Sequence, residues 1–302
     1  MASPLNVFSK LSPWQTVDVK GPEARDFLHR LTSANFKTLA VGSHTPGTLL
    51  TPTGKISLYF KALRLADDHY RLVVPDAKAA FDALEKLHFR ENLSITPLGD
   101  EWAYLRLLAS DEKRIAKLSA VVPEPGKLKP TQDGRIVFNE NRWTSAPIKL
   151  DLGLLVPQAR IAGVVAILRA TEFDEVPSLE EFRLRAFDPA PPSEINETTI
   201  PLEASLDDAV HENKGCYPGQ EVIERIRSMG QAPRLLVQVR GQGEVPTARE
   251  LVAGGAAAGT LTSVSADTID GGWVALGYVK RVYAKADAAY TVASQPVSVQ
   301  LK

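Results

Sequence analysis

The first hundred residues switch their hydrophobic period between two and about 3.6 in a set order, and that switch restricts the folds open to this chain more than any other feature. Trp14 to Lys20 alternates as a strand does. Gly21-Pro22 then opens a helix in which Ala24, Phe27, Leu28 and Leu31 recur at helical spacing. Thr48 to Thr51 and Ile56 to Leu65 flank Pro52-Thr53-Gly54-Lys55, a hairpin signature, and His69 to Val74 follows the Asp67-Asp68 turn. Asp76 is placed to cap a helix burying Ala80, Phe81, Leu84 and Leu87, and Leu93 to Thr96 closes the set as a strand. The order is β-α-β-β-α-β with a lengthened middle hairpin, the split βαβ arrangement.

A second unit of the same order is expected from Glu101 onward. Glu101 to Ala109 reads as a strand, Ser110 as the cap of a helix through Ile115 and Leu118, and Gly134 to Asn139 as a strand. Pro147 to Val156 is extended, and Pro157 begins a helix through Ile161, Val164, Val165 and Leu168. Ser178-Leu179-Glu180-Glu181 matches a capping box for a short helix ending near Phe187, and Asp188-Pro189-Ala190-Pro191-Pro192 reads as a crossing segment. Beyond Pro233, short Val-, Leu- and Thr-rich runs alternate with Gly turns, as in a small all-β barrel or sandwich. The expected class is α+β: two ferredoxin-like (split βαβ) lobes, residues 1–99 and 100–232, then a C-terminal β domain, residues 233–302.

Function is harder to read. The 302 residues carry 35 basic and 36 acidic side chains, a balance that gives no general reason to expect a nucleic acid as direct partner. No apolar run reaches membrane-spanning length, and the single cysteine fits a reducing, cytoplasmic setting. Five scattered histidines show no ligand spacing, so no permanent metal is expected. The cysteine sits in Lys214-Gly215-Cys216-Tyr217-Pro218-Gly219-Gln220-Glu221, ahead of a stretch where Val222, Ile223 and Ile226 predict a helix from Gly219 to Met229, ended by Gly230. A helix start favours a thiolate, Lys214 adds positive charge, and two glycines allow close approach of another group. Against this, a lone free cysteine is most often a small buried apolar group, and no His or Asp can be placed beside it from sequence. Arg225, Arg227 and Arg234 could hold a carboxylate or phosphate; as a cluster they are as readily a solvated surface.

The run from Lys214 to Ile226 resembles the signature of the YgfZ-type folate-binding proteins, relatives of the glycine cleavage T-protein (aminomethyltransferase). Val17 to Ala24 with Phe27-Leu28 resembles that family's opening strand and helix; Ile200-Pro201-Leu202-Glu203, Gly259 to Ser263 and Ala275 to Arg281 resemble its later motifs. The resemblance implies two ferredoxin-like lobes and a barrel arranged around a central folate-binding channel, with tetrahydrofolate as the ligand. It makes Glu203 the pterin anchor, through two parallel hydrogen bonds to its carboxylate. Cys216 becomes the reactive thiol, with Lys214, Tyr217, Gln220, Arg225 and Arg234 around the ligand; which arginine meets the glutamate tail stays open.

Two departures bear on mechanism. The T-protein places an aspartate where this chain, aligned on Gly54, has Leu58-Tyr59, so glycine-cleavage aminomethyl transfer is not expected. Relatives often carry glycine where this chain has Phe187. The implied role is that of an accessory protein for iron–sulfur cluster proteins, including cluster-dependent tRNA-modifying enzymes. One cysteine cannot hold a cluster alone, so any cluster would be shared with a client. A folate-dependent one-carbon transferase or demethylase is the alternative.

Overall fold

The computed structural model describes residues 5–11, 13–111, 113–114, 122–144, 147–230, 232–285 and 288–301. The chain divides into two compact units. The first comprises Met1–Leu49, Ser57–Leu179 and Asp208–Tyr217; the second comprises Leu50–Ile56, Glu180–Asp207 and Pro218–Lys302.

The first unit begins with β1 (Asn6–Lys10), β2 (Gln15–Lys20), α1 (Ala24–Leu31), β3 (Ser43–Leu50), β4 (Ile56–Ala66), β5 (His69–Val74), α2 (Ala77–Glu85) and β6 (Ser94–Gly99). It continues with β7 (Trp102–Ala109), β8 (Leu128–Pro130), β9 (Ile136–Asn139), β10 (Leu150–Pro157), α3 (Ile161–Ala170) and β11 (Asp174–Glu175). Asp76 caps α2 as expected, accepting the Ala79 N–H at 2.9 Å. Five strands form one sheet in the order β3-β4-β5-β2-β6, and six form another in the order β11-β1-β7-β10-β9-β8.

Three strands separate α1 from α2, because the arm before the hairpin turn is a full strand in its own right. The N-terminal strand β1 was not read from sequence. It pairs antiparallel with β7 and parallel with β11, so residues 6–10 belong to the second sheet although they precede the first. Its pairing is wholly non-local, and five residues carry little periodic signal. The helix expected through Ile115 and Leu118 lies outside the described residues.

Side-chain alternation sorts the two cores. Leu105, Leu107 and Ala109 of β7 pack with α3, whereas Tyr104 joins Phe138, Leu155, Leu63 and Val73 in a core shared by the two sheets. Charged groups also lie in this interior. Arg106 donates from Nε and one Nη to the two oxygens of Asp151, both at 2.7 Å, and its guanidinium stacks on Trp143. Asp151 also accepts the backbone N–H groups of Arg142 and Trp143, so neither ion is left unsatisfied.

The second unit holds α4 (Glu180–Arg185), α5 (Gln220–Met229) and six strands: β12 (Arg234–Gly241), β13 (Glu250–Ala253), β14 (Ala256–Ala266), β15 (Trp273–Lys280), β16 (Tyr290–Val292) and β17 (Gln295–Leu301). The strands close into a barrel in the order β12-β15-β14-β13-β16-β17. Closure removes both sheet edges, as the short Gly-punctuated runs suggested. The segment 180–232, assigned from sequence to the second lobe, lies partly with the barrel: only 208–217 of it belongs to the first unit. Among the described residues no helix is long and apolar enough to cross a membrane.

Asp151→Ala is expected to cost about 3–5 kcal/mol, because it leaves the buried Arg106 uncompensated; urea unfolding measures it. At Asp18, burial alone would raise the carboxyl pKa, but His69, Arg71 and Lys20 overcome it and hold the group well below the usual carboxylate range. Its contribution is therefore complete above the unfolded pKa of about 4 and is lost as pH falls below it. Asp18→Asn should show a smaller fall in urea midpoint between pH 6 and pH 3 than the unaltered protein.

Candidate functional site

The helix predicted after the cysteine forms as Gln220–Met229, one residue later than expected. It is bounded by Gly219 and Gly230, both left-handed, with φ of +79° and +59°. Gly219 is required on two counts. Besides its positive φ, a Cβ there would lie 2.5 Å from the Thr51 carbonyl oxygen and 3.1 Å from Gly54 Cα. Gly54 in turn packs on Val222, where a Cβ would meet the valine at 2.8 Å. The turn Thr51–Lys55 is thus seated on the first turn of α5. Thr51 N–H to Lys55 C=O and Gly54 N–H to Thr51 C=O hydrogen bonds close that turn.

On the first-unit side of the motif, Lys214 and His29 lock each other. The Lys214 ammonium donates to the His29 carbonyl at 2.6 Å, and His29 Nε2 donates to the Lys214 carbonyl at 2.8 Å. Neutral His29 therefore carries its proton on Nε2. Lys214 is buried and its ammonium lies 4.8 Å from the centre of the Tyr217 ring. Burial pushes this lysine down to about 8, with the Cys216 thiol side chain acting in the opposite direction. Cys216 itself is exposed, which removes the reading of a small buried apolar group.

In the second unit, Glu203 sits on the 3-10 turn Pro201–Ala204, with 5% of its surface exposed. Its Oε2 accepts Arg234 Nε at 3.0 Å and the Ile200 N–H at 3.2 Å. Oε1 has no partner among the described residues. The two-pronged grip expected from sequence thus meets a carboxylate with one oxygen already occupied. Arg234 lies over the Tyr278 ring, 4.1 Å from its centre, and reaches Thr199 Oγ1 at 3.4 Å. Tyr278 donates to the Glu194 carbonyl at 2.7 Å, and burial raises its hydroxyl pKa well above the usual value. Glu194 is fully buried: Arg183 and the Ala190 N–H bind one oxygen, Thr262 and Ser263 the other.

The sequence-selected residues therefore fall into groups. Lys214, Cys216 and Tyr217 belong to the first unit, whereas Glu203, Gln220, Arg225 and Arg234 belong to the second. Arg234 is joined to Glu203. Gln220 is half-buried on the first turn of α5, and Arg225 is exposed on that helix with no side-chain partner among the described residues. Sequence reading missed His29, a single histidine on an otherwise ordinary amphipathic helix, and Glu194, which follows a proline run and matches no motif. Tyr59 is buried with its ring edge-on to Trp14, and Phe187 is buried with φ +56°. The Phe187 N–H to Leu184 C=O and Asp188 N–H to Arg183 C=O bonds make Phe187 the left-handed residue of a Schellman motif, where glycine is usual.

Residues 8–112 match the family described as the GCVT N-terminal domain. Over nearly the whole chain the fold is similar to that of a solved aminomethyltransferase. The crystal structure of glycine cleavage system aminomethyltransferase T from Bartonella henselae superposes with a TM-score of 0.83 at 20% identity, covering 98% of this chain and 85% of that one. A chloroplast protein of Arabidopsis thaliana, named provisionally as a transferase, is 24% identical over 296 residues, which is 93% of this chain and 67% of the relative.

With Cys216 exposed, a thiol reagent such as Ellman's should titrate one thiol per chain in the folded protein, with no further release on denaturation. A thiol seen only after denaturation would contradict the exposure. Gly219→Ala should destabilise by roughly 2–4 kcal/mol through its forced φ and the contact with Thr51, read as a lowered Tm.

Proposed function

We propose that this chain binds tetrahydrofolate and serves as an accessory protein to iron–sulfur cluster proteins, as a member of the YgfZ-type branch of the aminomethyltransferase fold. Its two sheets are read as ferredoxin-like lobes. The observation that carries the folate reading is Glu203, a buried carboxylate held by Arg234 with one oxygen still open to a donor. A buried acceptor of this kind suits the N–H groups of a pterin ring, and a planar guanidinium backed by an aromatic ring suits a planar polar heterocycle. The residues present therefore fit the ligand. Bound folate would supply a one-carbon carrier; this chain's own part is to orient the ring through Glu203 and Arg234.

The accessory reading rests on what stands at two positions. Tyr59, buried against Trp14, offers no carboxylate where aminomethyl transfer would use one. Cys216 is exposed and held on one side by the Lys214–His29 pair, so a client protein or a cluster ligand can reach it. Iron–sulfur enzymes, including those that modify tRNA, are the clients this reading names, in a cytoplasmic setting. A folate-dependent one-carbon transferase remains the second reading, favoured by the overall fold and by the provisional transferase name of the Arabidopsis relative.

Calorimetric titration of tetrahydrofolate under anaerobic, reducing conditions tests the proposal. The unaltered protein and Cys216→Ala should bind alike, and Glu203→Gln should lose about 10- to 100-fold in affinity, the scale of one hydrogen bond to a buried charge. Absence of binding to the unaltered protein would remove the folate reading. Turnover of an N-methylated amine with tetrahydrofolate would favour the transferase.

A further inference from the structure

We infer that the first unit carries a second ligand site, including neither Glu203 nor Cys216, that stacks a planar heterocycle of the nucleobase class. A cavity of about 510 Å³ opens where β2 begins and β5 ends, lined by Trp14, Trp102, Lys10, Gln15, Asp76 and Asp100 among others. That is the size of a small-molecule pocket. The chain has four tryptophans. Trp143 and Trp273 are buried, whereas Trp14 and Trp102 are half-buried, and both of these line the cavity.

The two indoles are held before any ligand arrives. The Arg71 guanidinium lies 4.0 Å from the centre of the Trp102 ring and is itself fixed by both oxygens of Asp18, at 2.7 and 3.0 Å. Trp14 packs edge-on against Tyr59 and Tyr104. None of these supporting groups lines the cavity. Gln15 braces the walls: its Oε1 accepts the Ala77 N–H at 2.8 Å, and its Nε2 donates to Asp100 at 3.1 Å. Rings whose rotamers are already fixed lose little entropy on stacking a ligand.

The charged groups select the class. Arg71 over Trp102, and Lys61 5.6 Å from the centre of the Trp14 ring, already draw on the π attraction that a cationic ligand would need. Lys10 and Lys78 are matched on the rim by Asp76 and Asp100, which leaves no net charge to hold a simple anion. Ring and edge must therefore supply the affinity. Asp100 and Asp76 each commit one oxygen, to Gln15 and to the Ala79 N–H, and the other has no partner among the described residues. Lys78 is paired with Asp82, so Lys10 is the donor left open. Acceptors and a donor around two indoles complement a flat ring whose edge carries both N–H groups and carbonyl or ring-nitrogen acceptors.

The indole N–H signals of full-length protein carrying isotope-labelled tryptophan, assigned by Trp→Phe variants, test this by NMR. Adenosine or cytidine should shift the Trp14 and Trp102 signals saturably, with a Kd of about 0.1–1 mM, and leave those of Trp143 and Trp273 in place. Trp102→Leu should weaken binding about tenfold or more, with unmoved Trp143 and Trp273 signals showing that the variant is folded. A single-stranded tetranucleotide binding about tenfold tighter than adenosine would identify the base as part of a strand; equal or weaker binding identifies a free nucleoside or nucleotide. No saturable shift with any nucleoside up to about 10 mM overturns the inference. So do equal shifts with benzyl alcohol, a ring without a polar edge, or a proline-rich peptide moving these signals where nucleosides do not.

Discussion

Glu194 is the interaction on which the Glu203–Arg234 pair of the second unit depends. A carboxylate removed entirely from water is costly unless its charge and lone pairs are matched, and here all of them are. Arg183 from α4 and the Ala190 N–H take one oxygen, while Thr262 and Ser263 from β14 take the other. One side chain thereby joins a short helix, the proline-rich crossing segment and the barrel. Its backbone carbonyl then receives Tyr278, and Tyr278 supports Arg234 beneath Glu203. The order of dependence runs from a buried ion to an aromatic base, and from there to the carboxylate proposed to meet the ligand.

The cysteine motif is held by different means in its two halves. Lys214 has no carboxylate partner among the described residues; it is retained by a backbone carbonyl and an aromatic face, which leaves its charge only partly compensated. That is why burial moves it toward neutrality. The second half relies on absence of bulk: Gly219 and Gly54 allow backbones to meet where any side chain would collide. Motif glycines of this kind serve packing first.

Phe187 shows how a departure from a family pattern can be absorbed. A left-handed, non-glycine residue carries a conformational cost of about 1–3 kcal/mol. Burial of a phenylalanine ring offsets a cost of that size, and both Schellman bonds form regardless. The ring is therefore a core group that the backbone accommodates.

Much of the fold was legible because periodicity and turn chemistry are local. The strand at His69–Val74, the Asp76 cap, the α5 helix with its two glycines and the Gly-punctuated barrel strands all announce themselves within ten residues or so. Short elements without a strong period did not: β1 is placed by pairing with β7 nearly a hundred residues on, and β13 precedes a Gly-Gly turn and an alanine-rich strand with weak β preference. The same division governs the site. The sequence by itself determined that a cysteine stands ahead of a helix start and that Glu203 belongs to a recognisable motif. Only the tertiary structure decided that Lys214 meets His29 across 185 positions and that Glu203 gives one oxygen to Arg234 across 31. Such pairings depend on where the folded chain returns, and no local period records that path.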